Sequence, residues 1–361
     1  MDSIPQYEIL LSQAAGSNSP QTAPVAVLSE AILYVRFGNY QMSASLAKVG
    51  VVGAFFLLFL IMISMGYYLP EYSRPSRLIP AVPLVIEADS GQDLVRRLKE
   101  FQLWRIDPSQ PIPPVTFTGY PENMNELEIS LKKKLFFHAL LPSAMIVRDE
   151  IEQERETFRQ ILNKFENAPD GLYFSDEIDE WGLGLSATEI EFVMAMTHKY
   201  RSRKANQLLN RINVIPLSLI MAQAAIESSW GSSRFARLGN NLFGVWTWGN
   251  MGLIPIDRDE DKKHKVAVYD SILDSVRAYM ITLNRLPAYR EFREIRSRTM
   301  DPMLLADGLT LYSERRDEYV AEVKDFILVN SLLRYDDFVL DREGTVYGGA
   351  GTLLSRSEND E

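Results

Sequence analysis

The sequence predicts a mainly α-helical protein that follows one transmembrane helix. Two observations support this prediction: an uninterrupted apolar run at residues 49–69, and helical periodicity that begins at Asn125 and continues to about residue 333. Between them, residues 70–124 contain nine prolines. Proline-rich segments form extended, semi-rigid spacers, so we expect a stalk here, interrupted by one short helix at 91–101.

The apolar run at residues 49–69, VGVVGAFFLLFLIMISMGYYL, contains no charged side chain. As a helix it extends roughly 31 Å, enough to cross a hydrocarbon core of about 30 Å. A buried core helix is the alternative interpretation. A cleaved signal peptide is disfavoured because 48 residues precede the run. Arg36 and Lys48 lie before the run and Arg74 and Arg77 after it, so the positive-inside rule does not decide its orientation.

The rest of the chain divides by composition and periodicity. Residues 1–48, with few charges, are predicted to be a weakly ordered segment, and the glycine-containing residues 334–361 a flexible tail. Proline ends helices, so Pro142 is expected to separate two of them. The predicted helices are 125–141, 143–167, 187–201 (capped by Ser186 and Glu189), one from Pro216 to about Ser229, 271–286, 301–309 and 315–333; short strands or loops are expected at 239–270.

Composition excludes several classes of function. The chain has 38 basic and 48 acidic residues and a net charge of −10, so a general nucleic-acid binder is not expected. It has no cysteine, which excludes disulfides, thiolate metal sites and a cysteine nucleophile. Its three histidines are far apart, and no HExxH, Walker A or GxGxxG motif occurs. We therefore expect neither a metal nor a cofactor.

Glu227 is the only acidic residue in the segment IPLSLIMAQAAIESSWGSSRFARLGNNLFGVWTW, residues 215–248. On a helix, its neighbours one and two turns earlier include Gln223 and Ile220. A carboxyl group desolvated in such surroundings has a raised pKa, as the general acid of a glycosidase requires. The alternative is a solvated glutamate at a helix end, paired with Arg234 or Arg237.

The residues after this glutamate favour a carbohydrate-binding loop. Asn240 and Asn241 precede Trp246 and Trp248, and sugar sites commonly combine amides with aromatic faces. The alternative is that the two tryptophans pack in the core, which is the commoner role of such a pair.

The motif AQAAIESSWG followed by NNLFGVW closely resembles the bacterial glucosaminidase-domain family of peptidoglycan hydrolases. Residues 252–284 resemble the second lobe of that family and the helix after it, and 309–327 resemble its closing tyrosine motif. Residues 135–151 resemble the start of the Bax-like subgroup. The resemblance covers about residues 125–333.

This resemblance implies a lysozyme-like helical domain with a small β-lobe that cleaves the β-1,4 bond after N-acetylglucosamine in peptidoglycan. It makes Glu227 the general acid. The second carboxylate of the family belongs to the β-lobe. The candidates here are Asp257, Asp259, Glu260 and Asp261, of which Glu260 fits the pattern of the Bax-like subgroup best. Four adjacent acids are also compatible with a solvated loop.

The family motif Y-A-T-D-P-x-Y is only partly present. Tyr312 matches its first tyrosine and is assigned to the catalytic group. Tyr319 follows seven residues later rather than six, and Glu314-Arg315-Arg316 replaces the T-D-P core. Tyr319 and Tyr269 are assigned to substrate binding with Asn240, Asn241, Trp246 and Trp248, although Tyr269 is equally compatible with a core position.

The resemblance also implies a location. The substrate lies outside the cytoplasmic membrane, so residues 70–361 are expected in the periplasm, behind a single-pass anchor with its N-terminus inside. The expected partners are peptidoglycan glycan strands and that membrane. Two other interpretations stay open: a lytic transglycosylase, and a non-catalytic wall-binding anchor protein.

Overall fold

The computed structural model divides the chain into two units, residues 1–78 and 79–361. In the first unit, β1 (Ile32–Phe37) pairs antiparallel with β2 (Tyr40–Ser45). The structure describes residues 32–37, 40–45, 83–165, 171–178, 181–247, 252–254 and 265–342. Within these ranges no helix is both long and apolar enough to cross a membrane. The membrane span predicted at 49–69 lies outside them.

The described part of the second unit is mainly helical, as the sequence predicts. Its α-helices are α1 (Gly91–Glu100), α2 (Ile129–Leu162), α3 (Ala187–Tyr200), α4 (Ala205–Arg211), α5 (Leu217–Ser228), α6 (Arg234–Gly239), α7 (Ile272–Arg285), α8 (Arg290–Arg296), α9 (Pro302–Leu305) and α10 (Asp317–Val329). Short 3₁₀ helices occur at Glu122–Glu126, Pro287–Tyr289, Ala306–Leu309 and Leu332–Asp337.

Strands are short in this unit. β3 (Leu84–Ile86) pairs in parallel with β4 (Val115–Phe117). β5 (Trp246–Thr247) pairs antiparallel with β6 (Lys265–Val266), within the stretch predicted to hold short strands or loops.

Residues 83–120 belong to the folded unit, so the stalk predicted at 70–124 is wrong for this part. Leu94 and Leu98 of α1 and Phe117 of β4 are completely buried in the core. The Thr116 hydroxyl bonds to that of Ser143 across 2.8 Å. The prolines of this part lie before β3 or between α1 and β4, so they leave these elements intact and do not impose an extended chain.

Helix α2 passes through Pro142 without a break, so the predicted separation into two helices is wrong. Proline inside a helix costs roughly 3 kcal/mol because it removes a backbone hydrogen bond and crowds the preceding turn. Every residue from 135 to 147 is buried. Burying each large apolar side chain contributes about 1.5–3 kcal/mol, so the packing of this stretch outweighs the effect of one proline.

Helix α5 lies at the centre of the core and is buried along nearly its whole length. It packs against α2, α10 and the segment Leu332–Asp337. Pro216 precedes α5 and offers no side-chain cap. Instead, the Asp336 carboxylate accepts hydrogen bonds from the backbone N–H of Ser218 (2.9 Å) and from its hydroxyl (2.6 Å). These bonds satisfy donors at the helix N-terminus that would otherwise be buried without partners.

This cap explains why the chain after residue 333 is folded as far as residue 342, where the sequence predicts a flexible tail. Tyr335 is almost completely buried, and Leu340 forms a parallel bridge with Ile112. The remaining helix predictions are confirmed to within a few residues, including the capping box of Ser186 and Glu189 at the start of α3.

We predict that a fragment comprising residues 83–342 folds independently, whereas 125–333 does not. The shorter fragment lacks α1, β3, β4 and the Asp336 cap, so it exposes core surface and leaves buried donors at the start of α5 unpaired. Thermal unfolding followed by near-ultraviolet circular dichroism should show a cooperative transition for 83–342 only. Equal unfolding midpoints for the two fragments would contradict this interpretation.

Candidate active site

Glu227 lies in the last turn of α5, and the chain turns sharply after it. Ser229, Trp230 and Gly231 have φ angles of 50°, 60° and 73°, all in the left-handed region. Ser228 holds this turn, because its hydroxyl donates to the carbonyl of Ala224 (2.5 Å) and accepts from the N–H of Gly231 (2.8 Å). Two consecutive non-glycine residues in this conformation are strained, so the surrounding packing must maintain the turn.

Aromatic side chains pack beneath the turn. A Cβ at Gly231 would lie 2.8 Å from the Tyr120 ring, so only glycine fits this position. The Trp230 ring lies 5.1 Å from the ring of Phe137 and 5.1 Å from that of Phe326, measured between centroids. These contacts place Glu227 on a rigid helix end.

The Glu227 carboxyl group is half-buried beside the loop that carries the NNLFG motif. A Cβ at Gly244 would lie 3.6 Å from Glu227 Oε2, so this loop passes directly over the carboxyl. Burial is the largest influence on the group and raises the pKa of Glu227, whereas a hydrogen bond from Tyr319 and the charge of Arg315 act in the opposite direction. The net shift is upward, because desolvation disfavours the charged form.

A chain of hydrogen bonds determines which way the Tyr319 hydroxyl points. The Tyr279 hydroxyl donates to Gln223 Oε1 (2.6 Å), and Gln223 Nε2 donates to the Tyr319 oxygen (3.0 Å). Since a phenol has a single proton and Gln223 supplies a donor, the Tyr319 proton is left to donate to Glu227, with which it is hydrogen-bonded. The side chains of Gln223, Tyr279 and Tyr319 are all completely buried.

Tyr312 connects this chain to the NNLFG loop. Its ring stacks on Tyr319 at 5.6 Å between centroids, and its hydroxyl donates to the carbonyl of Phe243 (2.7 Å). Phe243 in turn stacks on Tyr279 at 4.0 Å. Burial raises the pKa of Tyr312 and that of Tyr289, the latter to about 12, and the negative charge of Glu227 adds to both shifts. The carboxyl therefore lies among four tyrosines.

The two predicted sugar-binding asparagines instead support the loop. Asn240 Nδ2 donates to the carbonyls of Thr118 (2.7 Å) and Tyr269 (3.1 Å). Asn241 is buried, and its Nδ2 donates to the carbonyls of Val245 (2.8 Å) and Ala267 (2.9 Å). Asn241 Oδ1 accepts from the N–H of Val245. The Asn241 amide and the Asn240 Nδ2 atom are thus engaged with backbone groups, and sugar binding by either residue stays a prediction.

The other predicted residues have different placements. Trp246 lies on β5 with 48 % of its surface exposed. Tyr269 is half-buried, and burial raises its pKa to about 12. Trp248, Glu260 and the three acids near Glu260 lie outside the described residues. Among the described residues, Glu227 forms no salt bridge with Arg234 or Arg237, the alternative partners, and Arg234 donates to the carbonyl of Ile254 instead.

The sequence analysis names Gln223 only as a helix neighbour of Glu227, and it assigns no site role to Tyr279 or Arg315. Gln223 is one turn before Glu227, and this spacing alone indicates proximity. Tyr279 lies on α7 and has no local sequence signal. Arg315 pairs with Glu322 at 2.5 Å and lies close enough to Glu227 to lower its pKa.

Comparison with known proteins identifies the part of the chain that carries this geometry. Residues 202–330 match the glucosaminidase family model, described as mannosyl-glycoprotein endo-beta-N-acetylglucosaminidase. Residues 202–330 are a glucosaminidase-family domain. The resemblance predicted from the AQAAIESSWG and NNLFGVW motifs is confirmed, and the glucosaminidase domain contains Glu227 together with Tyr279, Tyr312 and Tyr319.

Two curated relatives match part of this chain. The chain is 40 % identical over 93 residues to Protein bax of Escherichia coli strain K12, across 26 % of this chain and 32 % of that protein. It is 35 % identical over 96 residues to Peptidoglycan hydrolase FlgJ of Escherichia coli O157:H7, across 23 % and 31 % of the two chains. The matches therefore span about a third of each relative's length. No solved structure matches the chain.

Proposed function

We propose that this protein is a peptidoglycan hydrolase that cleaves the β-1,4 glycosidic bond after N-acetylglucosamine. The observation that carries the proposal is the partly buried carboxyl group of Glu227, with its raised pKa, inside a glucosaminidase-family domain. A relative named as a peptidoglycan hydrolase supports the choice of polymer.

Glu227 acts as the general acid in this proposal. Cleavage of a glycosidic bond requires a proton on the leaving oxygen, and a carboxyl that stays protonated towards neutral pH supplies it. Tyr319 donates to the same carboxyl and so stabilises the carboxylate that remains after proton transfer. Tyr312, stacked on Tyr319 and bonded to the loop beside Glu227, completes the catalytic group.

The β-lobe supplies the second half of the proposed site. The antiparallel pair β5–β6 and the bridge between Leu253 and Val266 support a small lobe on a lysozyme-like helical domain. We place the second carboxylate, Glu260, in the segment that connects these elements. Trp246, Trp248 and Tyr269 are the proposed aromatic contacts for sugar rings.

Membrane attachment is part of the same proposal. The uncharged run at 49–69 supports a single-pass anchor in the cytoplasmic membrane. Peptidoglycan lies outside that membrane, so we place residues 70–361 in the periplasm.

We expect Glu227→Gln to lower hydrolysis of peptidoglycan by about two to four orders of magnitude, because the amide keeps the shape but has no acidic proton to transfer. Glu318→Gln, an exposed change on α10, is the matched control and should behave like the wild type. Release of reducing sugar from purified peptidoglycan measures both. Mass spectrometry should show products that have gained one water. Wild-type rates in Glu227→Gln would refute the assignment, and 1,6-anhydro products would indicate a transglycosylase.

We expect Tyr319→Phe to move the alkaline limb of the pH–rate profile to higher pH. In the wild type, the hydrogen bond from Tyr319 favours the charged form of Glu227. Its removal therefore raises the pKa of Glu227 further and keeps this acid protonated at higher pH. Tyr200→Phe is the control, because the Tyr200 hydroxyl also donates to a glutamate, Glu154, at 2.6 Å. A limb that moves to lower pH, or moves equally in the control, would contradict the assigned role.

We expect Glu260→Gln to impair turnover strongly, and Asp259→Asn or Asp261→Asn to have little effect. The second carboxylate must position water or stabilise positive charge at the sugar ring. Replacing the neighbouring aspartates by asparagine leaves the Glu260 carboxylate, and therefore that role, in place. Steady-state rates on purified peptidoglycan rank the three variants. If Glu260→Gln is neutral while Asp257→Asn or Asp259→Asn inactivates, the role belongs to that neighbour.

A further inference from the structure

A cavity of about 760 Å³ lies between the N-terminal half of α2, the loop after α1 and the segment Leu332–Asp337. We call it the basic pocket, because Arg105, Lys133, Lys134 and Arg334 all line it, and no described carboxylate does. None of these four side chains forms a salt bridge with a described acidic residue. Glu128, near the start of α2, is engaged with Ser130 and Leu131.

The positive charges in the basic pocket are close enough to affect one another. The Lys134 Nζ atom lies 3.9 Å from the centre of the Trp104 ring, a cation–π contact. Its pKa is lowered by burial and then by the charge of Arg105. Lys133 lies over Trp230 at 4.7 Å. Like charges held together without a carboxylate counter-ion create a strongly positive potential that an anionic ligand would neutralise.

His138 adds a neutral, polar group to this cavity. It lines the basic pocket with 7 % of its surface exposed, and its Nδ1 lies 2.6 Å from the carbonyl of Leu103. Burial lowers the pKa of His138 to about 4, so the ring is neutral near pH 7. A carbonyl only accepts, so Nδ1 holds the proton and Nε2 is left as an acceptor. A ligand that carries both a carboxylate and an N–H group suits this combination.

The basic pocket lies on the same elements that hold the candidate active site. Phe137 lines the cavity and contacts Trp230, which follows Glu227 by three residues. Asn330, at the end of α10, also lines it. Tyr319 lies at the other end of that helix, roughly 16 Å away at 1.5 Å per residue. An extended pentapeptide spans at most about 17 Å, which is comparable with this separation between Asn330 and Tyr319.

We propose that the basic pocket binds the free carboxylates of the peptide stem that peptidoglycan glycan strands carry. The proposal rests on the proposed function, because it assigns a second part of the same substrate. The arginine side chains offer planar, two-pronged donors that match a carboxylate, and Trp104 and Phe137 provide apolar walls for the aliphatic parts of the stem.

Titration calorimetry of the full-length protein in detergent, with the pentapeptide stem as a soluble probe, tests the proposal without requiring catalysis. We expect wild-type protein to bind it and Arg105→Gln/Lys134→Gln to bind about tenfold or more weakly, because two charge-assisted contacts are lost. Lys132→Gln is the control: it removes one positive charge from α2 outside the basic pocket and should bind like the wild type.

A chemically matched ligand makes the test independent of the folding of the variants. The same pentapeptide with its carboxylates amidated should bind wild-type protein at least tenfold more weakly. Equal binding of the two peptides, no binding of the free-carboxylate peptide, or equal weakening in Lys132→Gln would overturn the proposal. The wild type could instead bind phosphatidylglycerol vesicles but not the peptide, with vesicle binding lost in the double variant. That result would overturn the proposal in favour of a lipid phosphate as the ligand.

Glycan strands stripped of their peptides separate this proposal from the proposed function. Wild-type protein and Arg105→Gln/Lys134→Gln should cleave them at equal rates, and the variant should have a raised KM only on peptide-bearing peptidoglycan. If neither form cleaves either polymer while the pentapeptide still binds, the proposed function fails and the binding site stands. A raised KM on both polymers would refute the peptide role.

Discussion

The constraint that organises the site is the partial burial of one carboxyl group, that of Glu227, at the end of the buried helix α5. Burial raises its pKa, and Tyr319 and Arg315 limit that rise by favouring the charged form. The opposing effects suit a group that must hold a proton before reaction and tolerate its loss afterwards. Gln223 and Tyr279 maintain the contribution of Tyr319, because their hydrogen bonds leave its hydroxyl free to donate only to Glu227.

Much of the support for this carboxyl comes from outside the family-matched segment, residues 202–330. Tyr120 and Phe137 pack beneath the strained turn after α5, and Asp336 caps the start of the same helix. Both ends of α5 are therefore held by residues distant in sequence. This explains why residues 83–165 and 332–342 fold as part of the same unit as the family-matched segment.

Sequence periodicity was sufficient for most helices and for placing Glu227 at the end of α5, because both depend on local spacing. It failed where long-range packing decides the outcome. Pro142 remains inside α2 since its neighbours are buried on all sides, and the proline-rich residues 83–120 form core elements. Motif resemblance assigned Asn240 and Asn241 to sugar binding, but their bonds to distant carbonyls could not be inferred from the chain alone. The role of Tyr279 could not be inferred either, because α7 brings it to the site only through long-range packing.

The central claim is that the surroundings of Glu227 raise its pKa above the ordinary value of 4.5 for a glutamate. Carbon-13 NMR titration of the glutamate side-chain carboxyls tests it directly, with the Glu227 resonance assigned by its absence from Glu227→Gln. We predict a titration midpoint clearly above 4.5 for that resonance. A midpoint at or below 4.5 would contradict the account, because the carboxyl would then be ionised well below neutral pH and could not serve as the acid.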